Sequence, residues 1–321
     1  MQFYLAPMEE VTGYVYRNVY QAMFGDVDKY FTPFIAPTQK KILKTRERKE
    51  VARENNQGMY VVPQILTNDA EQFVDTCKML MALGYKEINF NLGCPAATVV
   101  TKARGSGFLD DLRRLNRFFD AVFSALENEK IHISVKTRIG LEYPEEFEDI
   151  LKVYNCYPFH EIIIHPRLQK DFYNGKPNLE VYDAAMEQSV HPICYNGDIF
   201  TKQDYEEFTK RFPNTERVMI GRGIVADPGL IREITTGEKI TDKELKEYHD
   251  SLYRGYTEAL GSEKDALFKM KEVWAYLGGK FQDAERYLKK IRKAKNGEEY
   301  SLGVEKLFAE CRLIKRNSYL C

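Results

Sequence analysis

The stretch Ile131-His132-Ile133-Ser134-Val135-Lys136-Thr137-Arg138 decides the fold. Ile131, Ile133 and Val135 share one face and Ser134, Lys136 and Arg138 the other, the period of two of a strand with one polar side. Upstream, 87–91 repeats the pattern, with Ile88 and Phe90 opposing Asn89 and Asn91. Apolar runs at 3–8, 30–34, 60–65, 161–165, 192–196 and 218–221 complete a set of eight. Most are separated by amphipathic stretches such as 69–83 and 112–127. Strands alternating with helical crossovers predict an α/β fold with a parallel sheet, and eight strands close a (β/α)8 TIM barrel. A doubly wound open sheet is the alternative. The strand ends favour the barrel, because Gln64, Asn91, Lys136 with Arg138, and His165 with Arg167 all fall where barrel enzymes build active sites.

A barrel takes roughly 250 residues, and the chain has 321, so a further unit is expected. From 241 onward the β-branched runs thin out, and Lys, Glu, Leu and Tyr recur at helical spacing, punctuated by Gly255, Gly261, Gly278, Gly279 and Gly297. The expected division is a catalytic barrel over 1–237 and an all-helical domain of three to five helices over 238–321. Net charge is −1, so any nucleic-acid surface must be local. No run approaches the roughly 20 apolar residues of a membrane span, and the first residues show no leader pattern. Cytoplasmic location, no membrane, no metal and no obligate protein partner are expected. The six cysteines (77, 94, 156, 194, 311 and 321) form no C-x-x-C pair, which speaks for reduced thiols rather than zinc or a disulfide framework.

Two glycine turns, Asn196-Gly197-Asp198 and Gly221-Arg222-Gly223, follow the seventh and eighth runs. Those loops are where barrels most often hold a phosphate: glycine lets backbone N–H groups approach, and Arg222 adds a charge-assisted donor. Each could instead be a plain turn. Lys136, on the polar face of its strand, needs an anionic partner in the barrel mouth; a flavin ring that becomes anionic on reduction, or a structural carboxylate, would serve. His165 alone reads as easily as a satisfied core histidine. Cys94 stands in Asn91-Leu92-Gly93-Cys94-Pro95 just past the fourth strand, whereas Cys77 lies in an apolar helix stripe. Gly93 and Pro95 would fix a turn that holds the sulfur at the mouth, as nucleophile, acid or merely accessible thiol. The basic, glycine-rich stretch 101–107, with Lys102 and Arg104, reads as a mobile loop suited to close over a polyanion.

These residues in order (Ala6-Pro7-Met8 with Val11-Thr12, Gln64, the Cys94 turn, Lys102 with Gly105-Ser106, Lys136-Thr137-Arg138, His165-Pro166-Arg167 and the two late turns) resemble the tRNA-dihydrouridine synthases over about 1–235. The resemblance implies an FMN-binding barrel followed by a helical tRNA-binding domain. It implies that Pro7, Met8, Gln64, Lys136, His165, Asn196, Gly197, Asp198, Gly221 and Arg222 bind FMN, the last five of these lying around the phosphate after His165. It makes Cys94 the general acid and places Asn91 and Arg167 near the target base; Lys102, Arg104 and Arg138 are expected as further substrate contacts. Gly13, Pro166 and Ala97-Thr98 depart from the family pattern, all in loops on the RNA side.

The implied activity is NADPH-dependent reduction of a tRNA uridine by tightly bound FMN, with hydride to C6 and a proton from Cys94 to C5 from the opposite face. One rival is an FMN barrel acting on a small molecule, as in dihydroorotate or enoate reduction; another is a silent RNA-binding barrel. The tail bears on these. Residues 241–321 hold 17 Lys+Arg against 14 Asp+Glu, and six of the basic residues fall in 286–295 without an acidic one. At 100° per residue Phe281, Ala284, Tyr287, Leu288 and Ile291 form one stripe. Arg286, Lys289, Lys290 and Lys293 gather opposite, as an RNA-backbone face or a solvated one.

Overall fold

The alternation read in 131–138 is a strand, β6, one of nine parallel strands in a computed structural model that describes residues 1–39 and 43–314. Cys321 and the end of the expected helical domain lie outside the described residues. The strands are β1 (Gln2–Leu5), β2 (Lys29–Phe31), β3 (Val61–Val62), β4 (Gln64–Ile65), β5 (Glu87–Leu92), β6 (His132–Arg138), β7 (Ile162–His165), β8 (Ile193–Tyr195) and β9 (Arg217–Ile220). Their order is β3-β2-β1-β9-β8-β7-β6-β5-β4. The two ends of that order are halves of one sequence run, split at Pro63, which has no N–H for the ladder. Because β3 pairs with β2 and β4 with β5, the eight runs close into a (β/α)8-type barrel and the open sheet is set aside.

Parity sorts the barrel interior. Tyr4, Ala6, Phe31, Val62, Ile163, Cys194 and Met219 meet there in one buried cluster. The outward face of β5 carries Phe90, stacked on Phe118 (ring centroids 4.9 Å) and edge-on to Phe73 (5.1 Å). Those two rings come from the helices Ala70–Ala82 and Leu112–Ala125, capped by Asp69 and Asp111 through the N–H groups of Gln72 and Arg114. At the strands' N-terminal end Lys29 Nζ sits 2.7 Å from Glu161 and 3.0 Å from Glu87. Tyr4 and Tyr60 donate their hydroxyls to the same two carboxylates. Burial alone would lower the Lys29 pKa, but Glu161 and Glu87 outweigh it and raise it; burial raises Glu161, against the pull of Lys29.

The chain divides into two compact units: 1–7, 28–197 and 212–219, which carry the barrel strands, and 8–27, 198–211 and 220–321. Four α-helices form the C-terminal part of the second: Asp242–Leu260, Glu263–Leu277, Glu285–Lys293 and Gly297–Glu310. In that unit Tyr248 packs edge-on against Tyr16 and Tyr20 of the helix Tyr14–Met23. Tyr256 donates to the Val11 carbonyl at 3.2 Å, and Lys269 pairs with Glu10, so the turn at 8–12 is held by helices remote in sequence. Among the described residues no helix is long and apolar enough to cross a membrane. No cluster of His, Cys, Asp and Glu among them could hold a metal ion.

Candidate active site

Cys94 follows β5 in a turn fixed from both sides. The Asn91 side-chain oxygen accepts the Gly93 and Cys94 N–H groups at 3.1 and 2.9 Å. The Cys94 carbonyl accepts the Ser106 N–H at 3.1 Å and its hydroxyl at 2.9 Å. Arg138 Nε donates to the Gly93 carbonyl at 3.0 Å. The stretch after the turn is therefore no mobile loop. Residues 105–109 are buried, and Asn68 holds the Lys102 and Ala103 carbonyls. Gly105 has φ +56°, and a Cβ there would stand 2.7 Å from the Cys94 carbonyl oxygen. Its glycines serve close packing, not freedom. Lys102 stays exposed and Arg104 half-buried.

Beneath the turn runs a directional chain of side-chain hydrogen bonds. Asn91 donates to Gln64 Oε1 (2.6 Å), Gln64 to Asn89 Oδ1 (2.7 Å), Asn89 to Ser134 Oγ (3.0 Å), and Ser134 to Glu87 Oε1 (3.0 Å). A carboxylate only accepts, so Glu87 sets the sense of each link above it. Gln64 and Asn91 are thereby locked in one amide orientation. Both were expected from the sequence; the middle links Asn89 and Ser134, and the anchor Glu87, were not assigned a role. Their signal was polarity on an inward parity, which the sequence did contain.

Lys136 lies beside Asn91 in the β5–β6 register. It has no hydrogen-bond or ion-pair partner among the described residues, and burial with the nearby Arg138 charge lowers its pKa to about 8. Arg138 and Arg167 are each only 1% exposed, and that decides their role. Arg138 donates to the Leu168 and Phe172 carbonyls at 2.6 and 2.5 Å, and Arg167 to those of Asn174 and Gly175 at 3.2 and 2.5 Å. Their guanidiniums are engaged with backbone, clamping the loop 168–175. Arg167 Nη1 also lies 3.1 Å from His165 Nε2. A guanidinium only donates, so His165 carries its proton on Nδ1.

Asn196 is held by the Met219 carbonyl at 2.8 Å, and Gly197 admits no side chain, since a Cβ would overlap Tyr195. Pro7, half-buried, follows β1. In the second unit Met8 opens the turn whose N–H groups at Val11 and Thr12 bond its carbonyl. Asp198 and Arg222 form an ion pair at 2.5 Å. Gly221 precedes the short helix Arg222–Ala226, where Gly223 packs so closely that a Cβ would strike the Ile199 carbonyl. On the helix Glu285–Lys293, Tyr287 and Ile291 are buried while Arg286, Lys289, Lys290 and Lys293 are exposed. Arg286 is already paired with Glu310 at 2.8 Å.

A polar, cysteine-bearing mouth at the C-terminal end of a closed parallel barrel defines a (β/α)8-barrel enzyme. The chain belongs to the dihydrouridine synthase family: a family model described as dihydrouridine synthase (Dus) matches residues 4–312. A probable tRNA-dihydrouridine synthase of Staphylococcus aureus (strain COL) is 30% identical over 286 residues, which cover 84% of this chain and 81% of that protein. A tRNA-dihydrouridine(16) synthase of Aquipseudomonas alcaligenes is 25% identical over 309 residues, 93% and 97% of the two. Among solved structures, the old yellow enzyme from Trypanosoma cruzi superposes with a TM-score of 0.53 at 10% identity, over 79% of this chain and 93% of that one. Morphinone reductase gives 0.53 at 10% identity, over 75% and 87%. At such identities the likeness is one of fold.

Proposed function

We propose that the chain reduces a uridine in tRNA to 5,6-dihydrouridine, with FMN as its cofactor, NADPH as reductant and Cys94 as proton donor. The observation that carries this reading is Lys136, a lysine in the barrel mouth with no anion to pair with among the described residues, set beside the Cys94 turn in a chain of this family. An unpaired ammonium in such a place is costly, and an anionic ring would relieve the cost, so the residues present fit a flavin. Lys136 and His165 would flank its ring. Pro7, Met8 and Gln64 would be further contacts, with Asn196, Gly197, Asp198, Gly221 and Arg222 toward the phosphate. FMN, when bound, supplies the hydride for uracil C6.

The protein's part is positional. Asn91, Ser106 and Arg138 fix the peptide groups on both sides of Cys94, which positions the backbone that carries its thiol. Proton transfer from Sγ to C5 completes the saturation of the C5–C6 bond, and solvent then reprotonates the thiolate. A tRNA base must leave its stack to reach this depth, at a cost of a few kcal/mol. A grip on the RNA elsewhere offsets that cost.

The purified protein should be yellow and release FMN on denaturation, and Lys136→Ala should retain less of it. Release of FAD, or a colourless protein that FMN cannot reconstitute, would sink the cofactor. A second expected result concerns Lys289, Lys290 and Lys293. Reversing all three to Glu should weaken tRNA binding while FMN content and NADPH oxidation stay intact. Neutralising them should flatten the salt dependence by roughly 0.7 to 0.9 log units per lost phosphate contact. Wild-type binding by the reversed protein across a salt series would make this helix a solvated face and move the grip toward Lys102 and Arg104.

A further inference from the structure

Two loops at the C-terminal end of the barrel display large aromatic rings to solvent. Tyr143, after β6, is 66% exposed, and Phe172, after β7, is 48% exposed. Neither is loose. The Glu146 carboxylate accepts the N–H groups of Leu141, Glu142 and Tyr143 at 2.7 to 2.8 Å. Gln169 N–H donates to the Gly140 carbonyl at 2.9 Å and Lys170 N–H to that of Leu141 at 3.4 Å, which stitches the two loops side by side. Lys170 Nζ lies 5.3 Å from the centre of the Tyr143 ring. Phe172 has φ +50° and ψ −101°, a strained backbone state that bulky residues avoid. The buried Arg138 holds it there through the Phe172 carbonyl.

Strain that presents an apolar ring to water opposes folding, so it points to use. The same Arg138 bonds Gly93, next to Cys94, and its guanidinium carbon lies 5.5 Å from the Tyr173 ring, which is 6.0 Å from His165. The aromatic loop therefore adjoins the candidate site. The exposed charges of the two loops, Glu142 and Glu145 against Lys170 and Lys176, cancel. Such a surface suits uncharged ring faces, not phosphates.

We propose that Tyr143 and Phe172 are stacking platforms for unpaired nucleobases of the RNA next to the base that enters the mouth. This rests on the reading that the chain acts on tRNA. Turning one base out of its stack leaves its neighbours without a partner, and rigid aromatic faces replace that partner whatever the base. Each such stack is worth about 1 to 3 kcal/mol, or about 5- to 150-fold in affinity.

The test uses the flavin-loaded full chain and unmodified tRNA from cells lacking this protein. Tyr143→Ala with Phe172→Ala should raise the tRNA Kd at least tenfold, by the same factor at 50 and 200 mM salt. NADPH oxidation without RNA and flavin content should match wild type. The aromatic exchange Tyr143→Trp with Phe172→Trp should bind as tightly as wild type. Unchanged Kd in the alanine protein, a loss that vanishes at 200 mM salt, failure of the tryptophan protein to bind, or loss of flavin in the alanine protein would each overturn the proposal. A wild-type protein that neither binds nor reduces the tRNA would instead overturn the uridine-reduction reading, whatever the variants do.

Discussion

Cys94→Ala should cut dihydrouridine formation by about 100-fold or more, the usual scale for a positioned acid, while the protein keeps its flavin and still oxidises NADPH. The separation of effects follows from how the turn is built. The hydrogen bonds to Asn91, Ser106 and Arg138 that fix the turn are made by main-chain atoms of Gly93 and Cys94. Removing Sγ leaves these bonds in place, so the turn should keep its shape while the proton source is lost. Cys77 is the matched control. It is wholly buried in the helix Ala70–Ala82, where burial pushes its thiol pKa far up. Cys77→Ala should change stability alone. Wild-type product yield from the Cys94→Ala protein would remove the residue from the mechanism; loss of flavin would make it structural.

The fold was legible because inward and outward residues alternate in strands that differ sharply in polarity. The 131–138 stretch gives its face assignment without knowledge of any neighbour, and Gln64, Asn91, Lys136 and His165 follow from the same parity. What the side chains bond to was less legible. Arg138 and Arg167 were expected as substrate contacts, and their guanidiniums are bonded to carbonyls of 168–175. That outcome depends on the positive φ at Phe172, which no local pattern announces. The stretch 101–107 shows the converse case. Glycine and basic residues there suggest motion, but the space at Gly105 is set by the Cys94 carbonyl eleven residues earlier.

Lys29 was missed for a third reason: its partners lie 58 and 132 residues away, and the run that contains it was read from Tyr30. Glu87 opens β5 and Glu161 directly precedes β7, places where a glutamate reads as exposed, yet they are 2% and 1% exposed. With a single ammonium between them, this end of the barrel depends on Lys29, and through Glu87 and Ser134 it anchors the amide chain that rises to Cys94.

Lys29→Met should therefore destabilise the protein by about 3 to 5 kcal/mol at pH 7, the cost of leaving buried charge uncompensated. Two carboxylates would then share one dry site, with Arg217 Nε at 3.9 Å from Glu161 as the further cation among the described residues; His160, 4.0 Å from Glu87, has its pKa lowered by burial. The neighbouring Tyr4 and Tyr60 hydroxyls donate hydrogen bonds but no charge. Like charges that cannot both ionise force one carboxyl to keep its proton, so its folded pKa rises above the unfolded value. Between those two values the folded state binds more protons than the unfolded one, and stability falls as pH rises. The loss measured against wild type should accordingly be smaller at pH 5 than at pH 7, read from urea unfolding midpoints at constant m. Adding Glu161→Gln to Lys29→Met should recover much of it, because Glu87 then stands alone with the Ser134 and Tyr60 hydroxyls donating to it. Equal destabilisation at both pH values, or a double variant no better than the single one, would mean that Lys29 contributes by packing its methylenes against Tyr4 and Tyr60, whose ring centres lie 4.8 and 5.6 Å from its nitrogen.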